Sequence, residues 1–279
     1  MPVTLATDLD RTLFPNGTQP ADAVAMPLFR RLIREKAIPL IFVTGRNRLQ
    51  IEDGIRRYET PVPGHAVAEV GTRIYRQEGD GFVEDLAFVE FIGQHTHNWD
   101  REGFQATLAS LPLRPQPEEN QNPFKLSYYV DGLDNTEALI REAEKRLEGL
   151  CPDVHLIWSV DETENLGLLD VLPRRANKLE ALEYLRRKND VATEDIVYCG
   201  DSGNDLLPLA HGYRSILVAN ATDEVRDTVR REAAKNNTLD RVYLARGDRH
   251  RSLNGHYVSG ILEGLLHFGV ISESDLTAC

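Results

Sequence analysis

Residues 3–13, VTLATDLDRTL, combine a short apolar, β-branched run with two aspartates separated by one residue, and the turn-forming sequence PNG follows at 15–17. This pattern predicts a buried strand that ends in a loop carrying acidic side chains. Residues two apart on an extended backbone point the same way, so Asp8 and Asp10 are expected to face one small volume. A lone Asp-x-Asp is more often a solvated turn, so the rest of the chain has to decide between the two interpretations.

The composition is that of an ordinary globular protein with an acidic surface. The 279 residues are 41% hydrophobic and 27% charged, and the formal net charge is −12. This balance argues against nucleic acid and anionic membranes as partners, because both require clusters of Lys and Arg. It is compatible with an anionic small molecule, since one metal ion or one lysine reverses the local field.

Localisation and assembly are expected to be simple. The three cysteines are far apart and lack metal-binding spacing, no secretory signal is visible, and no apolar run reaches the length of a membrane span. These features predict a cytoplasmic protein with reduced thiols. Because only a short tail follows the last predicted helix, we expect a monomer.

Strand and helix patterns alternate near both ends of the chain. Apolar runs at 38–46 and 66–70 are separated by helical periodicity, and the alternation returns at 168–173, followed by a helix at 178–188 with Asn177 as its cap. Further strands are predicted at 196–199, 215–220 and 241–244. This order predicts an α/β fold with a Rossmann-like parallel sheet as its core.

The middle of the chain breaks this alternation. A hairpin is predicted between residues 74 and 84, because two β-prone runs flank the turn sequence QEGDG. Residues 86–168 then contain two helical and two strand-like segments, interrupted by several prolines. We therefore expect a core domain made of residues 1–85 and 169–279, and a smaller inserted α+β domain at residues 86–168.

Three predicted core strands end in polar corners: DLD at 8–10, TGR at 44–46 and GDSGND at 200–205. The carboxyl ends of neighbouring parallel strands meet at one crevice, so we expect the acids of these corners to lie together. The acids are Asp8, Asp10, Asp201 and Asp205. Four carboxylates in one small volume need a divalent cation, and an all-oxygen ligand set without His or Cys favours Mg²⁺.

Lys178 and Thr44 add phosphate-binding groups to the same edge of the sheet. Lys178 stands at the amino end of a helix, where the helix dipole and the ammonium both suit a phosphate. Thr44 offers a hydroxyl close to backbone N–H groups. Phosphoryl transfer through an aspartyl phosphate needs a carboxylate nucleophile, cations for the transferring group and an acid for the departing alkoxide. The residues therefore predict this chemistry.

These motifs resemble those of a known enzyme superfamily. In their order, DLDRT at 8–12, TGR at 44–46, Lys178 and GDSGND at 200–205 match the four motifs of the haloacid dehalogenase (HAD) superfamily of phosphatases, and the insertion is similar to that superfamily's α/β cap. Over nearly its whole length the chain also resembles the sucrose-phosphate phosphatase family. The stretches that carry this resemblance are NPFKLSYYVD at 122–131, DVLP at 170–173 and GILEG at 260–264.

The resemblance implies a division of roles. Asp8 would attack phosphorus, and Asp10 would protonate the leaving sugar hydroxyl and later deprotonate water. Mg²⁺ would be held by Asp8, by Asp10 through its backbone carbonyl, by Asp201, and by Asp205 directly or through water. The phosphoryl oxygens would be bound by Thr44, Gly45, Lys178 and Asn204. The closing cap would contact the sugar, with Arg46, Lys125 and Ser127 as candidate contacts.

The leading hypothesis is a Mg²⁺-dependent phosphohydrolase that cleaves sucrose 6-phosphate or a related glycosyl phosphate monoester. The alternatives are a phosphotransferase or phosphosugar mutase that uses the same aspartyl phosphate, and a general small-metabolite phosphatase of the HAD superfamily. A non-catalytic binder is disfavoured by the intact Asp8 and Asp10. A dehalogenase would need neither the second aspartate nor the metal-binding acids.

Arg11 departs from the family pattern, in which Asn commonly follows the second aspartate. Two interpretations remain open. Arg11 meets a second anionic group of the substrate, as in a phosphorylated glycerate derivative, or it pairs with a surface acid. Trp99 and Trp158 are expected to be packing residues rather than a carbohydrate platform.

Overall fold

The computed structural model describes residues 3–161, 164–248 and 253–277, and the strands in these ranges form two sheets. Numbered in chain order, the strands of the larger sheet are β1 (Thr4–Thr7), β2 (Leu40–Val43), β3 (His65–Ala68), β4 (Arg73–Glu78), β5 (Gly81–Glu84), β10 (Ile196–Gly200), β11 (Arg214–Leu217) and β12 (Val242–Leu244). Those of the smaller sheet are β6 (Arg114–Pro115), β7 (Leu126–Val130), β8 (Val154–Asp161) and β9 (Leu166–Pro173). The larger sheet has the order β12-β11-β10-β1-β2-β3-β4-β5.

The larger sheet is parallel from β12 to β3 and ends in the predicted antiparallel hairpin of β4 and β5. Strand β1 lies in its middle, between β10 and β2, and all four of its residues are buried. Leu5 packs in the hydrophobic layer on one face of the sheet and Ala6 in the layer on the other. A strand buried on both faces reads as a continuous apolar run, which explains the sequence before Asp8.

Helices cover both faces of this sheet. The helices are α1 (Ala25–Glu35), α2 (Arg48–Tyr58), α3 (Leu86–Gln94), α4 (Arg101–Leu108), α5 (Thr136–Glu148), α6 (Lys178–Lys188), α7 (Leu206–Leu209), α8 (Asp223–Lys235), α9 (Tyr257–His267) and α10 (Glu273–Thr277). Side chains from α1, α2 and α9 pack in one layer, and side chains from α3, α6 and α8 pack in the other. This arrangement confirms the predicted α/β, Rossmann-like core. In the described ranges no helix has the length and apolar character needed to cross a membrane.

The smaller sheet is antiparallel, with the order β6-β7-β9-β8, and α4 and α5 pack on one of its faces. This confirms the predicted α+β insertion. The run at 168–173, expected to reopen the parallel sheet, instead lies within β9 and pairs antiparallel with β7 and β8. The prediction of a strand was correct, but its assignment to the parallel sheet was wrong. An apolar strand pattern does not indicate which strands it pairs with.

The packing of α3 and β9 bears on the domain boundaries. Phe88 and Ile92 of α3 lie in a hydrophobic layer of the larger sheet, whereas the whole of β9 belongs to the smaller sheet. On this packing we propose that the inserted unit runs from α4 to the end of β9, and that the remaining described elements form the core.

The turn between β3 and β4 packs against the start of α6 and against the inserted unit. Glu69, Val70 and Gly71 all have left-handed backbone conformations, with φ values of 52°, 63° and 99°. The side chain of Val70 packs against Ile157 and Leu172 of the inserted unit. A Cβ atom on Gly71 would lie 2.1 Å from the carbonyl carbon of Asn177, so only glycine lets this turn approach α6.

We therefore expect Gly71→Ala to be much more destabilising than Gly79→Ala. Both glycines have positive φ, but nothing lies within 4 Å of a Cβ built on Gly79. The control substitution should lower the free energy of unfolding by about 1–2 kcal/mol through backbone strain alone. Gly71→Ala should lower it by roughly 1–3 kcal/mol more, because the methyl group meets backbone atoms. Equal urea midpoints for the two variants would contradict this account of the turn.

Candidate active site

The polar corners predicted from the sequence meet at the carboxyl edge of the larger sheet. Asp8 follows β1, Arg46 lies in the loop after β2, Asp201 follows β10, and Lys178 is the first residue of α6. Asn177 caps this helix, because its side chain accepts hydrogen bonds from the N–H groups of residues 179 and 180. The cap fixes where α6 begins and hence where the lysine enters the site.

Lys178 is the centre of the site. It is 1% exposed, and its Nζ donates to Oδ1 of Asp8 at 2.8 Å, of Asn204 at 2.6 Å and of Asp205 at 2.7 Å. These three bonds use all three ammonium protons. Burial alone would lower the pKa of Lys178, but the charges of Asp205 and Asp8 outweigh it and raise the pKa above its ordinary value. The ammonium therefore stays charged in the buried site.

Asp205 holds the loop after β10 in place. Its Oδ1 also accepts a hydrogen bond from the hydroxyl of Tyr198 at 2.6 Å, and its Oδ2 accepts from the N–H groups of Asp201 at 3.1 Å and Ser202 at 3.2 Å. With Lys178, this carboxylate accepts four bonds and is fully buried. Asp205 thus connects the lysine to the backbone that carries Asp201.

Asp8 and Asp201 are buried acids whose charges are incompletely balanced. Burial raises the pKa of Asp8 from 3.8 to about 7, even though Lys178 opposes the shift. Burial and the nearby Asp8 charge also raise the pKa of Asp201 well above its ordinary value. One carboxylate oxygen each from Asp8, Asp201 and Asp205 lie within 4.8 Å of one another. Such an all-oxygen cluster fits a hard divalent cation, which would favour the charged carboxylates.

Asp10 pairs with Arg46, whereas Asp8 pairs with Lys178. Its Oδ2 accepts from Nε of Arg46 at 2.8 Å and its Oδ1 from Nη2 of Arg46 at 2.7 Å, while Asn16 donates to Oδ1 at 2.6 Å. The Arg46 guanidinium also lies over the ring of Phe14. A bidentate pair fixes the orientation of both groups. Arg46, predicted as a sugar contact, is in this structure the partner of Asp10.

Arg11 pairs with a buried acid of the site. Its Nε lies 3.4 Å from Oδ2 of Asp201, whose side chain is only 3% exposed. Nη2 donates to the carbonyl of Asn220 at 3.1 Å, and the amide of Asn220 donates back to the Arg11 carbonyl at 2.6 Å. Of the two interpretations of Arg11, the structure shows pairing with an acid, but that acid is a buried member of the acidic cluster and not a surface residue.

These residues border a cavity of about 570 Å³ between the core and the inserted unit, which we call the Asp8 cavity. The predicted site residues that line it are Asp8, Asp10, Gly45, Arg46, Lys125, Asp201 and Asn204. Lining residues that were not predicted as site residues include Gln50, Gln116, Asn120, Tyr129, Asp161, Glu164 and Asp170. Of these, Tyr129 in β7 and Asp170 in β9 alternate with core residues of their strands, so they lie on the opposite face of the smaller sheet. This alternation could be read from the sequence, but it does not indicate what that face contacts.

Three predicted residues differ in how they reach this cavity. Lys125 is 3% exposed and lines it, and within the described part of the chain its ammonium makes no hydrogen bond or ion pair with another residue. The hydroxyl of Thr44 is buried and accepts from the N–H of Arg46 at 3.2 Å. Ser127 is also buried and donates to Oδ1 of Asp170 at 2.5 Å. Thr44 and Ser127 thus do not line the cavity themselves, but each is hydrogen-bonded to a residue that does, Arg46 and Asp170 respectively.

Comparison with known proteins assigns the chain to a family. The family model described as sucrose-6F-phosphate phosphohydrolase matches residues 1–269. The chain belongs to this family. The assignment confirms the resemblance seen in the sequence and makes the protein a phosphoric monoester hydrolase of the HAD superfamily that acts on sugar phosphates.

Individual relatives agree with the assignment. An HAD-like hydrolase of Nitrosococcus oceani is 40% identical over 95% of this chain and 71% of its own length. A sucrose-phosphatase of Arabidopsis thaliana is 30% identical over 80% of this chain, which spans about half the length of that plant protein (52%). The structure of the Synechocystis sp. PCC6803 sucrose-phosphatase in complex with sucrose and phosphate superposes with a TM-score of 0.79 at 25% identity, covering 96% of this chain and 99% of that one.

The raised pKa of Asp8 predicts a pH-dependent stability. The pKa of Asp8 is about 7 in the folded protein and 3.8 in the unfolded chain, so the unfolded chain loses this proton more readily. The free energy of unfolding therefore falls as the pH rises from about 4 toward about 7. In EDTA at pH 8 we expect Asp8→Asn to unfold at a higher urea concentration than the wild type, and the difference to shrink as the pH falls toward 5. Saturating Mg²⁺ should close the gap at pH 8.

Asp53→Asn is the matched control, since this aspartate is 66% exposed and pairs with Arg56 on the surface of α2. Its effect on the urea midpoint should be small and independent of Mg²⁺. If Asp8→Asn were less stable than the wild type in EDTA at pH 8, the inferred cost of ionising Asp8 would be wrong.

Proposed function

We propose that this protein is a Mg²⁺-dependent phosphatase that cleaves sucrose 6-phosphate or a related glycosyl phosphate monoester through an aspartyl phosphate on Asp8. The observation that carries the proposal is the buried contact of Asp8 with Lys178, at the edge of a polar cavity and within reach of Asp201. A charged nucleophile, a fixed cation and an acidic cluster are thereby combined in one place.

In the proposed reaction, an oxygen of Asp8 attacks phosphorus while the bond from phosphorus to the sugar oxygen breaks. Asp10 gives its proton to the departing sugar oxygen, which leaves as a hydroxyl. Asp10 then takes a proton from a water molecule that attacks the phosphorus of the aspartyl phosphate. This second step releases inorganic phosphate and regenerates the Asp8 carboxylate.

The residues of the cluster divide between holding the metal and holding the phosphoryl group. We assign Asp8, Asp201 and the backbone carbonyl of Asp10 as metal ligands, and Asp205, whose oxygens already accept four bonds, as a contributor through water. Bound Mg²⁺ would neutralise charge on the phosphoryl oxygens. Gly45 and Asn204, which line the cavity, are our candidates for binding those oxygens, together with Thr44 behind them and with Lys178, which would exchange one of its three present hydrogen bonds for a phosphoryl oxygen.

Arg46 has a different role in the proposal from the one that the sequence suggested. Its two hydrogen bonds to Asp10 orient the carboxylate for the step in which Asp10 takes a proton from the attacking water. We therefore propose Arg46 as a positioning residue for Asp10.

The sugar would occupy the side of the Asp8 cavity that belongs to the inserted unit. That side offers hydrogen-bonding groups from Gln116, Asn120, Lys125, Asp161 and Asp170. A cavity of about 570 Å³ with such a lining suits a polyhydroxylated leaving group better than an apolar one. Lys125 is the strongest candidate contact, because its side chain is largely buried at the cavity and its ammonium has no protein partner among the described residues.

We also propose that the enzyme works as a cytoplasmic monomer with a small-molecule sugar phosphate as its partner. Two free cysteines, Cys151 and Cys199, are buried in the described structure, in keeping with a reducing compartment.

The proposal is tested by measuring phosphate release from sucrose 6-phosphate, glucosylglycerate phosphates and simple hexose phosphates, each with Mg²⁺ or with EDTA. We expect one glycosyl phosphate to be preferred and its hydrolysis to require Mg²⁺. Failure of every substrate to release phosphate, or release that persists in EDTA, would contradict the proposal. Phosphate that appears on a second sugar instead of in water would identify a phosphotransferase.

The two aspartates should fail in different ways. Asp8→Asn removes the nucleophile, and we expect less than about 10⁻⁴ of the wild-type rate. Asp10→Asn should slow turnover by about 10²- to 10⁴-fold. With ³²P-labelled substrate, Asp10→Asn should accumulate a protein-bound label that hydroxylamine releases, whereas Asp8→Asn should carry none. Label on the Asp8→Asn protein would rule out Asp8 as the site of phosphorylation.

Lys125 should contribute to substrate binding. Removing a charged hydrogen-bond donor from a buried cavity costs about 1.5–3 kcal/mol, so Lys125→Met should raise KM by roughly tenfold or more. Lys145→Met is the matched control, because this lysine lies exposed on α5, outside the cavity. Steady-state kinetics with the preferred substrate distinguish the two, and an unchanged KM for Lys125→Met would remove this residue from the site.

A further inference from the structure

Asn122 connects the inserted unit to the core without lining the Asp8 cavity. It lies in the loop between β6 and β7 and is 7% exposed. Its Nδ2 donates to Oε2 of Glu69 at 2.5 Å and to the hydroxyl of Thr72 at 2.7 Å, and its Oδ1 accepts from the N–H of Phe124 at 2.8 Å. Both amide protons and the amide oxygen are therefore used, yet the proposed hydrolysis gives this residue no role.

The two partners of Asn122 in the core are buried in the turn between β3 and β4. Glu69 is 5% exposed and Thr72 is 1% exposed. The Thr72 hydroxyl gives its own proton to the carbonyl of Glu69 at 2.8 Å, so it is free to accept from Asn122. A buried carboxylate is stable only where it is paired or hydrogen-bonded. The bond from Asn122 to Glu69 is therefore a charge-assisted one, of the stronger kind.

This turn is fixed by backbone hydrogen bonds to the loop after β2. The N–H of Glu69 donates to the carbonyl of Arg46 at 3.0 Å, and the N–H of Val70 donates to the carbonyl of Thr44 at 3.0 Å. Neither bond involves the side chain of Asn122. We therefore expect the loop after β2 to keep its position when that side chain is removed.

On the side of the inserted unit, Asn122 is bonded directly to the residue that we propose as the sugar contact. The N–H of Lys125 donates to the carbonyl of Asn122 at 3.1 Å, and the N–H of Asn122 donates to the carbonyl of Lys125 at 3.3 Å. Between them, Phe124 packs against a hydrophobic layer of the larger sheet. Apolar packing is non-directional, so the orientation of this tight turn depends on the hydrogen bonds of Asn122.

From these contacts we infer that Asn122 is a positioning residue, which is anchored on Glu69 and Thr72 of the core and holds Lys125 at the wall of the Asp8 cavity. The inference rests on the proposed role of Lys125 as a contact of the sugar. A displacement of the turn by about 1 Å would move the Lys125 ammonium out of reach of a bound sugar. Asn122 itself contacts neither the sugar nor the reacting atoms.

The first test is steady-state kinetics with the preferred sugar phosphate. Asn122→Ala should raise KM by at least about fivefold and leave kcat within about threefold, because the loop after β2 is held independently. Adding Lys125→Met to Asn122→Ala should give a KM within about twofold of that of Lys125→Met alone, since both changes remove the same contact. A loss confined to kcat, an unchanged KM, or KM effects that multiply in the double variant would each overturn the inference.

Asn189→Ala is the matched control. This amide also donates to a carbonyl, that of Leu185, but it does so at the end of α6 and outside the Asp8 cavity. Its KM should stay within about twofold of the wild-type value. Cooperative thermal unfolding of every variant checks that it is folded.

A rescue experiment tests the bond to Glu69 itself. Asn122→Asp keeps an oxygen that can accept from the N–H of Phe124, but it places a second carboxylate against Glu69, so KM should rise at least as much as in Asn122→Ala. Adding Glu69→Gln exchanges donor and acceptor across the contact, and it should return KM to within about threefold of the wild type. A KM that Glu69→Gln fails to lower would contradict the assignment of this bond as the anchor.

A measurement without substrate separates this inference from the proposed function. Limited acetylation with acetic anhydride, followed by peptide mass spectrometry, should modify the buried Lys125 more slowly than the exposed Lys145. Asn122→Ala should raise the rate at Lys125 by at least about fivefold relative to Lys145, and Asn189→Ala should not. An unchanged rate in Asn122→Ala would overturn the inference. The expected labelling in a protein that hydrolyses no sugar phosphate would support the positioning of Lys125 and overturn the proposed function alone.

Discussion

The burial of one ammonium group among three oxygen acceptors determines the arrangement of this site. Lys178 reaches Asp8 after β1, and Asn204 and Asp205 after β10, so a single side chain connects the central strand, its neighbour and the start of α6. A buried lysine is tolerated only where its charge is paired and its protons are used. The Asn177 cap and the close approach of Gly71 to it set the position from which the lysine starts.

The same lysine leaves part of the negative charge unbalanced. Asp205 is paired with Lys178 and accepts four hydrogen bonds, but burial still raises the pKa of Asp8 and of Asp201. A divalent cation would favour the charged carboxylates of such a site, and we propose that the substrate brings its phosphoryl oxygens to that cation. Asp10 is placed differently, because it pairs with Arg46 and lines the cavity, where the leaving group of the proposed reaction would depart. Two carboxylates only one residue apart thereby acquire separate environments.

Much of this arrangement follows from local sequence patterns. The β1 run, the hairpin and α6 with its cap were predictable, because they depend on local periodicity and on residues that cap or turn the chain. The convergence of the polar corners followed from parallel topology. The sheet that contains residues 168–173 and the pairing of Arg46 with Asp10 were not predictable, because each depends on contacts between segments far apart in sequence. Periodicity shows which face of a strand is buried, but it does not show which other segment of the chain covers that face.

The most direct test of this account is calorimetric titration of the metal-free protein with MgCl₂ at neutral pH, in the wild type and in Asp201→Asn. Asp227→Asn, whose carboxylate is 73% exposed on α8, serves as the control. We expect the wild type and the control each to bind one Mg²⁺ per chain, and Asp201→Asn to bind Mg²⁺ at least about tenfold more weakly. Equal Mg²⁺ affinity in Asp201→Asn and the wild type, or no binding to either, would contradict the claim that the buried acids around Lys178 form a metal site.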